Sequence, residues 1–238
     1  MRATRAMAGL TIALGLTVAL TAAPIRAGHA HGTGSMGGAS GGTDTMSPQA
    51  RPEDAGKSAY NSGVRSIKKA QEYESDAAKA STAEKSAKAR GKAQENYSKA
   101  LEQFIDAVSQ QPKMYQAWNY IGFANRHLGN YDAALPAYAK ALELNPGYPD
   151  AIEYRGEAYL GLNKLDEAKE AYMSLFANSR SLADELMTAM RRWTDARRSD
   201  AQGVAPEVVE AFSKWVDERS GIAAQTASLA VGAQAVWK

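Results

Sequence analysis

The chain has 238 residues, of which 45% are hydrophobic and 23% are charged, and its formal net charge is +2. This composition is typical of a soluble helical protein with one modest folded domain. The chain contains no cysteine, which excludes disulfide bonds, thiol catalysis and cysteine-ligated zinc within it. The nearly balanced charge argues against nucleic-acid binding along a basic surface.

Residues 1–27 have the features of a secretory signal peptide. Residues 1–5 are basic, and residues 6–23 carry no charge. The uncharged segment is too short for a stable membrane span, so we expect no stable membrane insertion after cleavage. We predict cleavage after Ala27 or Ala30 and an exported protein of the bacterial type, periplasmic or secreted.

Residues 28–55 are rich in Gly, Ser and Thr and predict a flexible, disordered linker. His29 and His31 are two positions apart in this linker. Two imidazoles without further ligands do not make a metal site. We therefore predict no metal and no cofactor.

Small and aromatic residues recur after this linker at an interval of 34 residues. The recurring sets are Ala100, Ala134 and Ala168; Phe104, Tyr138 and Tyr172; Gly122 and Gly156; and Pro112 and Pro146. A fixed period of this length indicates stacked helix pairs. The predicted fold class is an all-α helical solenoid.

The recurrence resembles the tetratricopeptide repeat, a family of antiparallel helix pairs. In a unit at 115–148, the matching residues are Trp118, Ile121, Gly122, Tyr131, Ala134, Tyr138, Ala141 and Pro146. In a unit at 149–177, they are Ile152, Gly156, Tyr159, Leu162, Leu165, Ala168, Tyr172 and Leu175. Asn125 departs from the pattern, because the family prefers an aromatic residue there.

An earlier, divergent unit is predicted at 56–114 of the repeat domain, which spans 56–177. Its second helix carries Tyr97, Ala100, Phe104 and Ala107, and its first helix is placed at Tyr60, Val64, Ile67 and Ala70. Between them, residues 74–96 contain Ala as their only apolar residue type. We predict that they extend the second helix beyond the solenoid. Such a helix is either solvated or docks through an alanine seam against another helix.

Two capping helices are predicted at 178–221, followed by a weakly structured tail at 222–238. Ser181 and Asp184 resemble the start of the first cap helix. Pro206 opens the second cap helix and Gly221 closes it.

Two residues inside the repeats break the regular pattern. Pro136 lies past the first turn of its helix and predicts a slight kink. Arg155 occupies a place where the repeat buries Leu, so it is expected to pair with Asp184 or Glu185 and clamp the cap to the last unit.

The resemblance implies a concave groove lined by the first helix of each pair. It assigns six candidate partner-binding residues: Gln116, Asn119, Phe123, Asp150, Glu153 and Glu157. Glu153 and Glu157 are four residues apart and are expected to be exposed on one helix face. They would receive a basic or amide-rich segment of a protein or peptide, with Phe123 as an apolar contact, rather than an acidic C-terminal tail. A merely solvated acidic face remains the alternative.

Catalysis is not predicted. His127 is the single histidine after the linker, and it sits near a predicted helix end, where an imidazole commonly caps carbonyls. The predicted function is non-catalytic protein–protein interaction in the cell envelope. The alternative is an assembly protein that self-associates or docks into an envelope complex through its Ala-rich helix and through Trp193, Trp215 and Trp237.

Overall fold

The computed structural model describes the backbone of residues 52–236 and the side chains of residues 53–226. Within this range the chain forms eight α-helices and no strand, which confirms the all-α prediction. The helices are α1 (Pro52–Lys79), α2 (Ala83–Gln110), α3 (Tyr115–His127), α4 (Tyr131–Leu144), α5 (Pro149–Gly161), α6 (Leu165–Asn178), α7 (Arg180–Ser199) and α8 (Pro206–Val236).

The helices pack as four successive pairs: α1 with α2, α3 with α4, α5 with α6 and α7 with α8. The first helices of the last three pairs also touch, because α3 contacts α5 and α5 contacts α7. We call α3, α5 and α7 the inner layer. This layer is the surface on which the repeat pattern places a binding groove.

In the two clear repeat units, the turn between the two helices contains one residue with a left-handed backbone. In the α3–α4 turn this residue is Gly129, with φ +79°. In the α5–α6 turn it is Asn163, with φ +56°, one repeat later in the chain. Asn tolerates this region better than most residues with a side chain, so the two turns have the same course.

The glycines of the first helices allow a large side chain to pack directly on a helix backbone. A Cβ atom added at Gly122 would lie 2.5 Å from the Tyr138 ring, and one added at Gly156 would lie 2.7 Å from Leu186. The small and aromatic residues predicted to recur in the second helices, Ala134, Tyr138, Ala168 and Tyr172, are all buried. The residues that recur every 34 positions are therefore those at which neighbouring helices pack closely against each other.

The divergent first unit is a hairpin of two 28-residue helices, α1 and α2. Residues 74–96 are divided between them, so the prediction that this segment extends the second helix alone is wrong. The chain reverses just before Thr82, whose side chain caps α2 by accepting a hydrogen bond from the Lys85 amide. Ala77 and Ala93 are buried, so alanines of this segment help to close the hairpin on itself.

Gly63 in α1 takes the place that Gly122 has in the next unit. A Cβ atom added at Gly63 would lie 2.6 Å from the Phe104 ring, and Phe104 is one repeat before Tyr138. The first unit therefore shares the glycine-on-ring packing of the 115–148 unit, with longer helices.

The C-terminal helices differ from the prediction at two boundaries. α7 begins at Arg180, directly after Ser179, rather than at Ser181. α8 does not end at Gly221 but continues to Val236, so the weakly structured tail is helical where it is described. The Arg180 guanidinium anchors this extension, because it donates to the Ala223 carbonyl and the Thr226 hydroxyl, each at 3.1 Å. Upstream, α4 runs unbroken through the exposed Pro136.

Replacing Gly63 with Ala should destabilise the protein, whereas replacing Gly91 with Ala should stabilise it. The methyl group that alanine introduces at position 63 would overlap the Phe104 ring, which costs ~1–3 kcal/mol in a packed core. Gly91 lies inside α2 with nothing within 4 Å of an added Cβ, so the same substitution should gain ~0.5–1 kcal/mol of helix propensity. Urea unfolding of the two variants measures both changes, and equal effects would contradict the packing role of Gly63.

Candidate functional site

The six residues predicted to line the groove lie on α3 and α5 of the inner layer, but several are not accessible. Gln116 and Asp150 are half-buried near the start of their helices. Asn119 is 1% exposed and Glu153 is 2% exposed. Phe123 is also buried, with its ring 4.9 Å from the Tyr154 ring. The middle of the inner layer is thus packed core rather than an open binding surface.

Glu153 is the main departure from the predicted groove. We expected an exposed carboxylate, and the structure places this group inside the protein, which overturns that expectation. Within the described residues its Oε2 atom has no hydrogen-bond partner. Burial, followed by the negative charge of Glu157, raises the pKa of Glu153 to about 8. At neutral pH the side chain is therefore mostly a neutral acid.

Glu157 is not a free carboxylate either, because it forms an ion pair with Arg126 of α3. The Arg126 guanidinium lies over two aromatic rings, 5.2 Å from the centre of Phe123 and 5.5 Å from that of Tyr154. The pair neutralises the acidic face of α5. Neither Glu153 nor Glu157 is therefore available to attract a basic segment, because the first is buried and the second is paired.

An open cleft lies further along the inner layer, where α3 and α5 end and α7 passes beside them. Its volume is about 420 Å³, and we call it the arginine cleft. It is lined by Arg126, His127, Tyr131, Glu157, Leu160, Gly161, Ala189, Arg192, Trp193 and Arg197. Three guanidinium groups face one carboxylate, so the cleft carries net positive charge.

The walls of the arginine cleft are held by hydrogen bonds to one turn residue, Asn163. Its Oδ1 atom accepts from Nε1 of Trp193 and from Nη2 of Arg197, each at 3.2 Å. The Arg197 guanidinium also lies 5.3 Å from the centre of the Trp193 ring. Arg192 is exposed and forms no ion pair among residues 53–226. Within the described residues, the cleft thus combines the unpaired Arg192, the hydrogen-bonded Arg197 and the Trp193 ring.

His127 joins the arginine cleft to the α1–α2 hairpin. Its Nδ1 atom lies 3.1 Å from Oε1 of Glu74, and its ring stacks 4.4 Å from Tyr97. Burial, followed by the charge of Arg126, lowers the pKa of His127. The imidazole is therefore mostly neutral at neutral pH and donates a hydrogen bond to Glu74, rather than pairing with it as a cation.

Arg155 does not clamp the last repeat to the cap. Among residues 53–226, neither Asp184 nor Glu185 lies within ion-pair distance of it, so the predicted pairing is wrong. Its guanidinium carbon lies 5.8 Å from the centre of the Tyr159 ring, and its Nε atom is buried without a hydrogen bond in the described part of the chain. The Tyr159 ring on the same helix therefore contacts the Arg155 guanidinium, where a carboxylate of α7 was expected.

The tryptophans on which the assembly alternative rested are engaged inside the protein. Trp193 is buried and its ring meets Phe212 at 5.2 Å. Trp215 is half-buried and packs against Tyr172 and Phe212. Trp237, like His29 and His31, lies outside the described residues.

Sequence reasoning missed the arginine cleft although a signal for it was present. Arg126 lies one turn after Gly122 on the same helix, just past the positions assigned to the groove. Arg192 and Arg197 lie near the C-terminal end of α7, where cations also suit the helix dipole, so their charge alone does not indicate a binding surface. Their convergence depends on the angle at which α7 crosses α5, which the 34-residue period does not specify.

Membrane-spanning helices and metal-binding clusters are both absent among the described residues. No helix among them has the length and apolar character to cross a membrane. No group of three His, Cys, Asp or Glu side chains in the same residues is arranged to hold a metal ion.

Comparison with known proteins assigns the repeats to a family. Residues 92–149 match one family model described as a tetratricopeptide repeat, and residues 126–196 match a second model with the same description. No curated protein matches the chain.

Among solved structures, 29 chains match. One is described as the first TPR of Spaghetti (RPAP3) bound to the HSP90 peptide SRMEEVD. It has 20% identity and a TM-score of 0.39, and the match covers 56% of this chain and 94% of that one.

Replacing Glu153 with Gln should remove a pH dependence of stability. The pKa of Glu153 is about 8 in the folded protein and near 4.5 when the chain is unfolded. The folded state therefore retains a proton that the unfolded state loses, and stability falls as the pH rises from about 4.5 to about 8. Gln cannot ionise, so the variant should exceed the wild type by ~1–3 kcal/mol at pH 9 and match it at pH 4.5.

Thermal and urea unfolding between pH 4.5 and 9 measure this difference, with the exposed Glu170→Gln variant as the control. Stability curves of wild type and Glu153→Gln that stay parallel over the whole range would contradict the buried, protonated state of Glu153.

Proposed function

Because this chain is a tetratricopeptide-repeat protein, we propose that it is a non-catalytic interaction module whose inner layer binds a segment of a partner protein or peptide. The observation that carries the proposal is the arginine cleft. It is open and concave, and it lies on the layer of first helices. The proposal names a surface and a class of ligand, and it assigns no cofactor and no nucleic acid.

The charge of the cleft decides which segment it favours. Arg192 is exposed and forms no ion pair among residues 53–226. Arg197 donates to Asn163 through Nε and Nη2, and its other N–H groups can donate to a ligand. Guanidinium groups bind carboxylates through paired hydrogen bonds. We therefore favour an acidic segment over the basic one that the sequence suggested, because Glu153 is buried and Glu157 is already paired.

The only imidazole in the described residues supports a binding role over a catalytic one. His127 is stacked on Tyr97 and hydrogen-bonded to Glu74, and burial lowers its pKa. A general base needs a nucleophile within hydrogen-bond reach, and the contacts of this ring are structural.

We also propose export to the cell envelope, on the basic start and uncharged stretch of residues 1–27. Expression of the full chain in a bacterium, followed by fractionation and N-terminal sequencing, tests this directly. The expected product begins at Gly28 or His31 in the exported fraction. An uncleaved product in the cytoplasm would overturn the proposal without affecting the binding surface.

Binding in the arginine cleft is tested with two neighbouring residues of α7. Arg192 lines the arginine cleft, whereas Arg191 lines a separate cleft between α7 and α8. On an array of acidic and basic peptides, the wild type should retain acidic ones. Arg192→Glu should weaken this binding by at least about tenfold, because it replaces a charge-assisted contact with a repulsion.

The control for this experiment is Arg191→Glu, which makes the same change of charge one position away. It should leave peptide binding within about twofold of the wild type, since exposed charges outside the contact contribute little. Equal losses in the two variants, or retention of basic peptides only, would overturn the assignment of the cleft.

A further inference from the structure

A second concave site lies between α1 and α2, outside the inner layer. It has a volume of about 290 Å³ and is formed by seven side chains of the hairpin. α1 supplies Ser62, Arg65, Ser66 and Lys69, and α2 supplies Asn96, Lys99 and Gln103. We call it the hairpin cleft. None of these side chains belongs to the apolar core that α1 and α2 share with α3.

The charged groups of the hairpin cleft all have the same sign. Arg65, Lys69 and Lys99 line it, and no carboxylate does. Among residues 53–226, none of the three forms an ion pair. The Lys140 and Lys169 ammonium groups, by contrast, each have an acidic partner three residues away on their own helix. Three unpaired cations that converge on one concavity repel each other, and an anion between them would remove that repulsion.

The neutral side chains of the cleft are mostly hydrogen-bonded within the hairpin; Asn96, for example, donates its amide nitrogen to the Lys92 carbonyl at 2.8 Å. The buried Ser66 donates its hydroxyl to Oε1 of Gln103 at 2.7 Å, which leaves the Gln103 amide nitrogen free to donate. The Ser62 oxygen already accepts from Nη2 of Arg65 at 2.8 Å, and the Ser62 hydroxyl donates to the Ser58 carbonyl. The Ser62 oxygen and the Gln103 Oε1 atom thus already accept hydrogen bonds within the hairpin. The Gln103 amide nitrogen is available to an acceptor atom of a ligand.

We propose that the hairpin cleft binds a phosphate dianion, either free or as the phosphate monoester of a small molecule. A phosphate group has three or four acceptor oxygens and close to two negative charges at neutral pH, which matches three cations and an amide donor. A carboxylate has one charge and two oxygens and would leave part of this set unused. The cations are exposed and solvated, so the affinity is modest and falls with added salt.

The site is independent of the proposed function. Its residues lie on α1 and α2, whereas the arginine cleft uses α3, α5 and α7 and Tyr131 at the start of α4. Loss of one activity therefore leaves the other available for measurement.

The test uses the full chain and calorimetric titration with sodium phosphate at low ionic strength. Lys69→Gln removes one cation of the cleft. Lys68→Gln makes the same change at the preceding residue, which is exposed and does not line the cleft. We expect saturable phosphate binding that Lys69→Gln weakens by at least about fivefold and Lys68→Gln changes by less than about twofold. Circular dichroism of both variants verifies that they remain folded.

Two further arms identify the source and the charge state of the ligand. Titration with glycerol phosphate distinguishes the two sources. A site for monoesters binds both probes, whereas a site for free phosphate binds sodium phosphate alone. Binding should be tighter at pH 8 than at pH 5, because phosphate gains its second negative charge over this range. Absence of saturable binding by both probes, or equal weakening in Lys68→Gln and Lys69→Gln, would overturn the proposal.

Discussion

Close approach of helices at glycine positions is the constraint on which this structure depends. At Gly63, Gly122 and Gly161, an added Cβ atom would lie only 2.5–2.6 Å from an aromatic ring of a neighbouring helix. The ring occupies the space that a side chain would otherwise fill, so the two backbones come nearer than ordinary residues allow. Two of these contacts set the spacing within a pair, and the third, between Gly161 and Tyr131, sets the spacing between successive pairs.

The same close packing decides which polar groups reach solvent. With α3 against α5, the middle of the inner layer is sealed, and Asn119 and Glu153 are enclosed. The first accessible charges lie nearer the C-terminal ends of these helices, where Arg126 lies over two rings and pairs with Glu157. The cleft at these helix ends is therefore cationic, although the face of α5 predicted to bind a partner is acidic in sequence. A buried acid and a paired acid contribute almost nothing to the field outside.

The sequence allowed the fold to be predicted further than the site. The 34-residue period placed the helices of the two clear units, because small and aromatic residues recur only where helices touch. It failed for residues 74–96, where the chain reverses between two helices. The signal for this reversal is the N-cap residue Thr82, which lies inside a segment of high helix propensity. The prediction also failed at Gly221, since a glycine costs a helix only ~1 kcal/mol and Arg180 donates hydrogen bonds to Ala223 and Thr226 beyond it. Side-chain exposure in the groove was beyond prediction because a repeat pattern specifies a helix face and not the depth at which a neighbouring helix covers it.

The α5–α6 turn shows how a backbone requirement and a surface property can be set by one residue. Gly129 and Asn163 satisfy the same left-handed turn, one repeat apart, but only Asn163 has a side chain to offer. Its oxygen holds both the indole of Trp193 and the guanidinium of Arg197. A glycine there would preserve the course of the chain and leave Arg197 to sample many rotamers, with a higher entropic cost for any ligand that orders it. The turn residue of a repeat can therefore tune the rigidity of a recognition surface in the following repeat without altering the scaffold that carries it.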